Sequence, residues 1–208
     1  MSPSSPDLRR PLCFVAMPFG DKRMPDGSEF DFDAFYTEVI EAAIVAAGMD
    51  PLRADEEKTG GVIHKQMFER LLLSDYVIAD LTTASANVFY ELGIRHAVRP
   101  YSTVLIAASD IRIPFDVAPA RTVMYDHDGS SSEAAQRARD QITTALTAAK
   151  DGDVDSPVFQ LVEGFGAPSI DRLRTDTFRS RVAYSERIKD KLELARAAGS
   201  SLSFMRSE

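Results

Sequence analysis

The chain has 208 residues, 44% hydrophobic and 27% charged, an ordinary globular composition that excludes disorder throughout. Its 24 Lys and Arg against 32 Asp and Glu leave a net charge of -8, which argues against a binder of nucleic acid polymers and favours a small or nucleotide-sized ligand. Cys13, the single cysteine, excludes a disulfide scaffold or cysteine-rich metal site, and no apolar run approaches the roughly 18 residues of a membrane span.

Met1 to Pro11 is a Ser/Pro-rich leader, expected to be disordered, with no signal-peptide apolar region, so a cytoplasmic protein with no membrane attachment is expected. Leu12 to Met17 reads as a first buried strand with Cys13 in its core, broken by Pro18, Phe19 and Gly20. Asp21 to Glu29 is a polar loop. Phe32, Phe35, Val39, Ile40, Ala43, Ile44 and Ala47 recur at helical spacing, and Gly48 closes that helix. A short strand at Pro51 to Ala54 follows, then Gly60 and Gly61 ahead of a helix with Ile63, Met67, Leu71 and Leu72 three or four apart. Tyr76 to Ala79, Thr103 to Ala107 and Arg121 to Met124 are further strands, with a helix from Val88 between the first two and another at Ser132 to Ala149. Strands alternating with helices predict an α/β domain over residues 12–150: a mainly parallel, flavodoxin-like or TIR-like sheet of about five strands, covered on both faces. Residues 151–208 form an Asp-rich linker and a helical extension, whose apolar stripe from Ile170 to Ala198 needs a partner: the sheet domain, a second copy of the chain, a helical-repeat region or another protein.

The densest chemistry lies in Ser74 to Ala97, SDYVIADLTTASANVFYELGIRHA. Asp80 ends an apolar strand, and Asn87 reads as the N-cap of a helix beginning at Val88, which places Glu91 in the first turn. There the helix dipole and free N–H groups favour an ionised carboxylate, the state a nucleophile or a stabiliser of positive charge must hold. In open α/β sheets ligands bind at the carboxyl ends of strands, so the location suits a site. Plainer readings stand beside these: Glu91 as a dipole-favoured acid paired with Arg95 at i+4, Asp80 as an Asx turn, Asn87 as a cap alone. Pro18, Phe19 and Gly20 offer close approach and a stacking face, or simply a turn. Arg53 and Asp55, with the Gly60–Gly61 pair, are candidates for ribose hydroxyls or phosphate, or are solvated loop charges. His64, His96 and His127 show no metal-ligand spacing, so neither a metal nor a cofactor is expected, and His96 reads as a helix-end or core histidine.

Leu12 to Tyr125, through FVAMPF, SDYVIADLT and NVFYELGIRHA, resembles the nucleoside 2-deoxyribosyltransferase superfamily and its TIR-like relatives. That resemblance implies cleavage or transfer at an N-glycosidic bond of a nucleoside or nucleotide, NAD among them, with Glu91 as nucleophile and Asp80 contacting base or ribose. It also implies a homo-oligomer, since such sites are often completed across subunits. FVAMPFG, IPFDVAPARTVMY and SPVFQLVEGF are similar to bacterial proteins with a TRAF-binding-type regulatory domain, related to the central regulatory region of apoptosis signal-regulating kinases. This second resemblance implies a non-catalytic signalling module that binds a nucleotide messenger or a protein, and a chain that continues into helical repeats.

Overall fold

The computed structural model describes residues 10–53, 63–117, 120–126, 132–170 and 178–179. The chain divides into two compact units, Met1–Pro168 and Ser169–Glu208. Most of the second, including nearly all of the helix expected over Ile170 to Ala198, lies outside the described residues, as do Asp55, Gly60, Gly61 and His127.

Five strands form one parallel sheet: β1 (Leu12–Ala16), β4 (Asp50–Arg53), β5 (Tyr76–Asp80), β6 (Thr103–Ala108) and β7 (Thr122–Tyr125), in the spatial order β4-β1-β5-β6-β7. This is the flavodoxin-like arrangement, in which the first strand lies between the second and the third. The register pairs Val15 with Arg53 on one side of β1 and with Ile78 on the other. Because successive strand residues point to opposite faces, Ile78, Val104 and Ile106 enter one apolar cluster while Ala79, Leu105 and Ala107 enter another. In β1, β5 and β6 both faces are buried, which is why these three read as apolar runs, while the edge strands β4 and β7 are mostly half-buried. Cys13 is wholly buried in the first cluster, and burial pushes its thiol pKa upward.

The first face is covered by α1 (Phe32–Phe35), a π-helical stretch (Tyr36–Glu41) and α2 (Ala42–Ala46), together with α5 (Ser132–Ala148). All seven apolar positions predicted for the Phe32 to Ala47 segment are buried, although the helix is widened in its middle rather than regular. Gly48, at φ +76°, ends it: its N–H reaches the Val45 carbonyl and the Met49 N–H that of Ile44, two carbonyls the helix itself leaves open. On the second face lies α4 (Ala86–Val98), in contact with α3 (Ile63–Leu73).

Asp21 to Glu29, predicted as a loop, instead carries an antiparallel hairpin, β2 (Asp21–Arg23) with β3 (Glu29–Asp31). Its strands are almost entirely charged, so no apolar alternation announces them, and Phe30 and Met24 alone anchor it to the core. Beyond α5, residues 149–161 pack back on the sheet domain through a 3₁₀ turn (Ala149–Asp151) and α6 (Pro157–Leu161). Asp155 Oδ2 accepts the Thr103 N–H, and Ser156 Oγ donates to the His96 carbonyl. No helix among the described residues is long and apolar enough to cross a membrane.

Candidate functional site

The strand order reverses between β1 and β5: the chain leaves β1 toward β4 and leaves β5 toward β6. The two connections diverge at this switch point, and the carboxyl edge beside such a point is the place where α/β sheets take ligands. Sequence position therefore puts the exit of β1, Pro18–Phe19–Gly20, beside the exit of β5, Asp80–Leu81–Thr82.

Gly20 sits at φ +63°, and a Cβ added there would meet nothing within 4 Å, so glycine is needed for the backbone conformation rather than for space. Arg53, at the end of β4, reaches across this turn. Its guanidinium lies 4.4 Å from the Phe19 ring centroid and 4.7 Å from that of Tyr36, and Nη2 donates to the Pro18 carbonyl at 3.3 Å and to Asp33 Oδ1. Pro18, Phe19, Gly20 and Arg53 are thus brought into one cluster, joined by Tyr36 and Asp33, which motif reading did not single out.

Asp80 is completely buried. Oδ1 accepts the Thr82 N–H at 2.9 Å, closing an Asx turn, and Oδ2 accepts the Tyr125 hydroxyl at 2.9 Å. Thr82 Oγ1 takes the Ala108 N–H at 2.9 Å and lies 2.7 Å from Tyr125 Oη, so the Thr82 proton goes to the tyrosine oxygen. One chain of hydrogen bonds thereby ties the ends of β5, β6 and β7 together. Burial pushes the Asp80 carboxyl up to about 6, against the opposing pull of its Thr82 and Tyr125 bonds. Phe35 stacks on Tyr125 with centroids 4.4 Å apart, and Phe30 lies beyond it.

The loop from Asp80 turns sharply at Ala84, whose φ of +48° is left-handed and strained for a residue with a Cβ. Ser85 is then the first extended residue and stands at the N-cap, with no side-chain cap bond. This corrects two expectations. Asn87 is not the cap but an exposed first-turn residue, and Glu91 lies in the second turn, where the dipole's help has faded.

Glu91 is half-buried, and among the described residues nothing donates to its carboxylate or pairs with it. Burial alone pushes its pKa up to about 7. The pairing with Arg95 does not form, because Arg95 is wholly buried and points away. Arg95 Nη1 donates to the carbonyls of Leu71 and Ser74, and Nη2 to those of Asp75 and Ser102 and to Ser102 Oγ. Arg99 adds two bonds to the Leu72 carbonyl. These arginines satisfy the open carbonyls at the end of α3, the role cations play best at a helix C-terminus. Burial lowers Arg95 to about 9, aided by Arg99, which leaves it charged at neutral pH. His96 is buried in the last turn of α4 and pushed down to about 4 by burial and by Arg95, hence neutral. Among the described residues no group of three or more His, Cys, Asp or Glu side chains could hold a metal ion.

No family model matches the chain, and no curated protein does. Among solved structures, a flavodoxin-like domain from a Synechococcus sp. protein is similar in fold, at 10% identity and a TM-score of 0.40, covering 67% of this chain and 98% of that one.

Proposed function

We propose that this protein recognises a nucleoside or nucleotide, NAD among the candidates, and cleaves or transfers at its N-glycosidic bond. Glu91 is the reacting carboxylate. The observation that supports the reading is the state of that side chain: a half-buried carboxyl that no cation or donor of the described protein neutralises. Breaking an N-glycosidic bond develops positive charge on the sugar, and an unpaired carboxylate in a poorly hydrated setting stabilises that charge, or bonds to the anomeric carbon, more strongly than a solvated one. A folded pKa near 7 also leaves a working fraction ionised at neutral pH. In this scheme Asp80 is a positioning residue, fixing the loop that launches α4, while Phe19, Gly20 and Arg53 receive the rest of the ligand and the exposed Asn87 lies near its entry.

The test is release of free base from NAD and from a panel of nucleosides and nucleotides by the full chain. We expect turnover by the wild-type protein and none by Glu91→Gln, with the variant at least as stable at pH 8 because it loses an unpaired carboxylate. Absence of wild-type turnover, or equal turnover by the variant, overturns the reading.

A second reading, a non-catalytic signalling module that binds a nucleotide messenger or a protein and self-associates through its C-terminal extension, is favoured by one feature. Both oxygens of Asp80 are consumed by the chain itself, so this acid contacts no substrate in the conformation described. Nucleotide-induced thermal stabilisation without product would select that reading.

A further inference from the structure

At the exit of β1 a carboxylate of the chain occupies a place fitted for an anion. Asp33 Oδ1 accepts from Arg53 Nη2, and the nearby Gly20 amide and Lys22 ammonium favour its ionised form, holding its carboxyl below the ordinary range. The two partners are held very differently. Asp33 is 57% exposed in its side chain, whereas Arg53 is 12% exposed and packed against the Phe19 and Tyr36 rings. An exposed carboxylate in such a pair contributes little to stability and is readily exchanged. The arginine is a preorganised receptor.

That receptor is under-used. Of the five N–H groups of a guanidinium, only those on Nη2 are bonded among the described residues: there Nε is buried without a partner, and Nη1 makes no hydrogen bond. Two aromatic rings within 5 Å of its carbon leave the free Nη1 donors as the approach for an acceptor. An edge with spare donors suits a group offering several oxygens, as phosphate does, better than a carboxylate bound through one. The Gly20 N–H beside it supplies an amide of the kind that turns present to phosphates.

We propose that Arg53 and the Pro18–Gly20 turn form a phosphate receptor, and that Asp33 is its displaceable occupant in the ligand-free protein. The assignment rests on the nucleotide reading of the site and narrows it: the ligand is phosphorylated, a nucleotide or dinucleotide rather than a nucleoside.

Calorimetric titration of the full chain with inorganic pyrophosphate, AMP and adenosine tests this. Asp33→Ala should tighten pyrophosphate and AMP about fivefold, and more at low ionic strength, while leaving adenosine unchanged. Arg53→Met should abolish the preference for AMP over adenosine, and Arg53→Lys, which keeps the charge but loses the fork, should restore only part of it. Pyrophosphate that binds wild type and Asp33→Ala equally, or neither, overturns the receptor. Pyrophosphate tightened by Asp33→Ala while AMP and adenosine stay unbound would keep the receptor and remove the nucleotide reading. AMP and adenosine bound alike would refute the requirement for phosphate without touching Glu91.

Discussion

Replacing Tyr125 by Phe isolates the hydrogen-bond chain behind the candidate site. The substitution keeps the ring that stacks on Phe35 and removes only Oη, the donor to Asp80 Oδ2 and the acceptor for Thr82. Losing a bond to a buried charged acceptor costs about 1.5–3 kcal/mol, and the stranded Thr82 hydroxyl adds about 1 kcal/mol, so a loss of about 2.5–4 kcal/mol is expected at pH 8. The loss depends on pH, and its sign is fixed by Asp80. In the wild-type protein this carboxyl titrates at about 6, above its ordinary 3.8. Between those values the folded state holds a proton that the unfolded state has released, so stability falls as pH rises through that window, by about 3 kcal/mol in all. Without the tyrosine donor the ionised form loses support, the folded pKa moves higher still, and the decline continues above pH 6. The gap between wild type and Tyr125→Phe should therefore be larger at pH 8 than at pH 5. Urea unfolding followed by circular dichroism at both values measures it. A gap below about 0.5 kcal/mol, or one that does not grow with pH, would refute the linkage.

Arg95→Met should cost about 3 kcal/mol or more in the same assay, because it strands the carbonyls of Leu71, Ser74, Asp75 and Ser102 together, and Arg95→Lys should recover part of it. A loss under about 1 kcal/mol would mean that water replaces the guanidinium. Gly20→Ala should destabilise by about 1 kcal/mol through its left-handed backbone alone, whereas Ala84→Gly, at φ +48°, should be neutral or slightly stabilising by thermal melting. The reverse order of the two would show that neither turn is set by backbone strain.

The central strands β1, β5 and β6 were legible because each is buried on both faces and therefore apolar almost without interruption, the half-buried edge strands β4 and β7 because short runs recur between helices, and the helices because their stripes repeat at three and four. The hairpin at Asp21–Asp31 left no such trace: its core contacts amount to Phe30 and Met24 inside a charged segment. The start of α4 was displaced because Ser85 and Asn87 are both good caps, and only the left-handed turn at Ala84 decides between them. The i+4 spacing offers Arg95 as one plain partner for Glu91, yet Arg95 lies seven residues after Val88 and three after Leu92, on the same buried stripe. A charged residue in phase with an apolar stripe was the available signal of its burial. Tyr125, Tyr36 and Asp33 gave no local signal, since what they do depends on residues distant in the chain.

These contacts explain why Glu91, among the carboxyls of the site, is left with an unmet demand. The helix that carries it is fixed at both ends: the Asp80, Thr82 and Tyr125 bonds hold the loop before it, and Arg95 and Arg99 lock its last turns to α3. Asp80 is satisfied by the two donors that bind it to the scaffold, and Asp33, largely exposed, by Arg53. A carboxyl on a helix held this firmly cannot easily turn to water to relieve its desolvation, so its pKa rises instead. Relief comes from protonation or, under the proposed function, from a group carried by the ligand. That asymmetry separates Glu91 from the other acids of the site: loosening the helix, as Tyr125→Phe does at one end, should bring the Glu91 pKa back toward that of an ordinary glutamate.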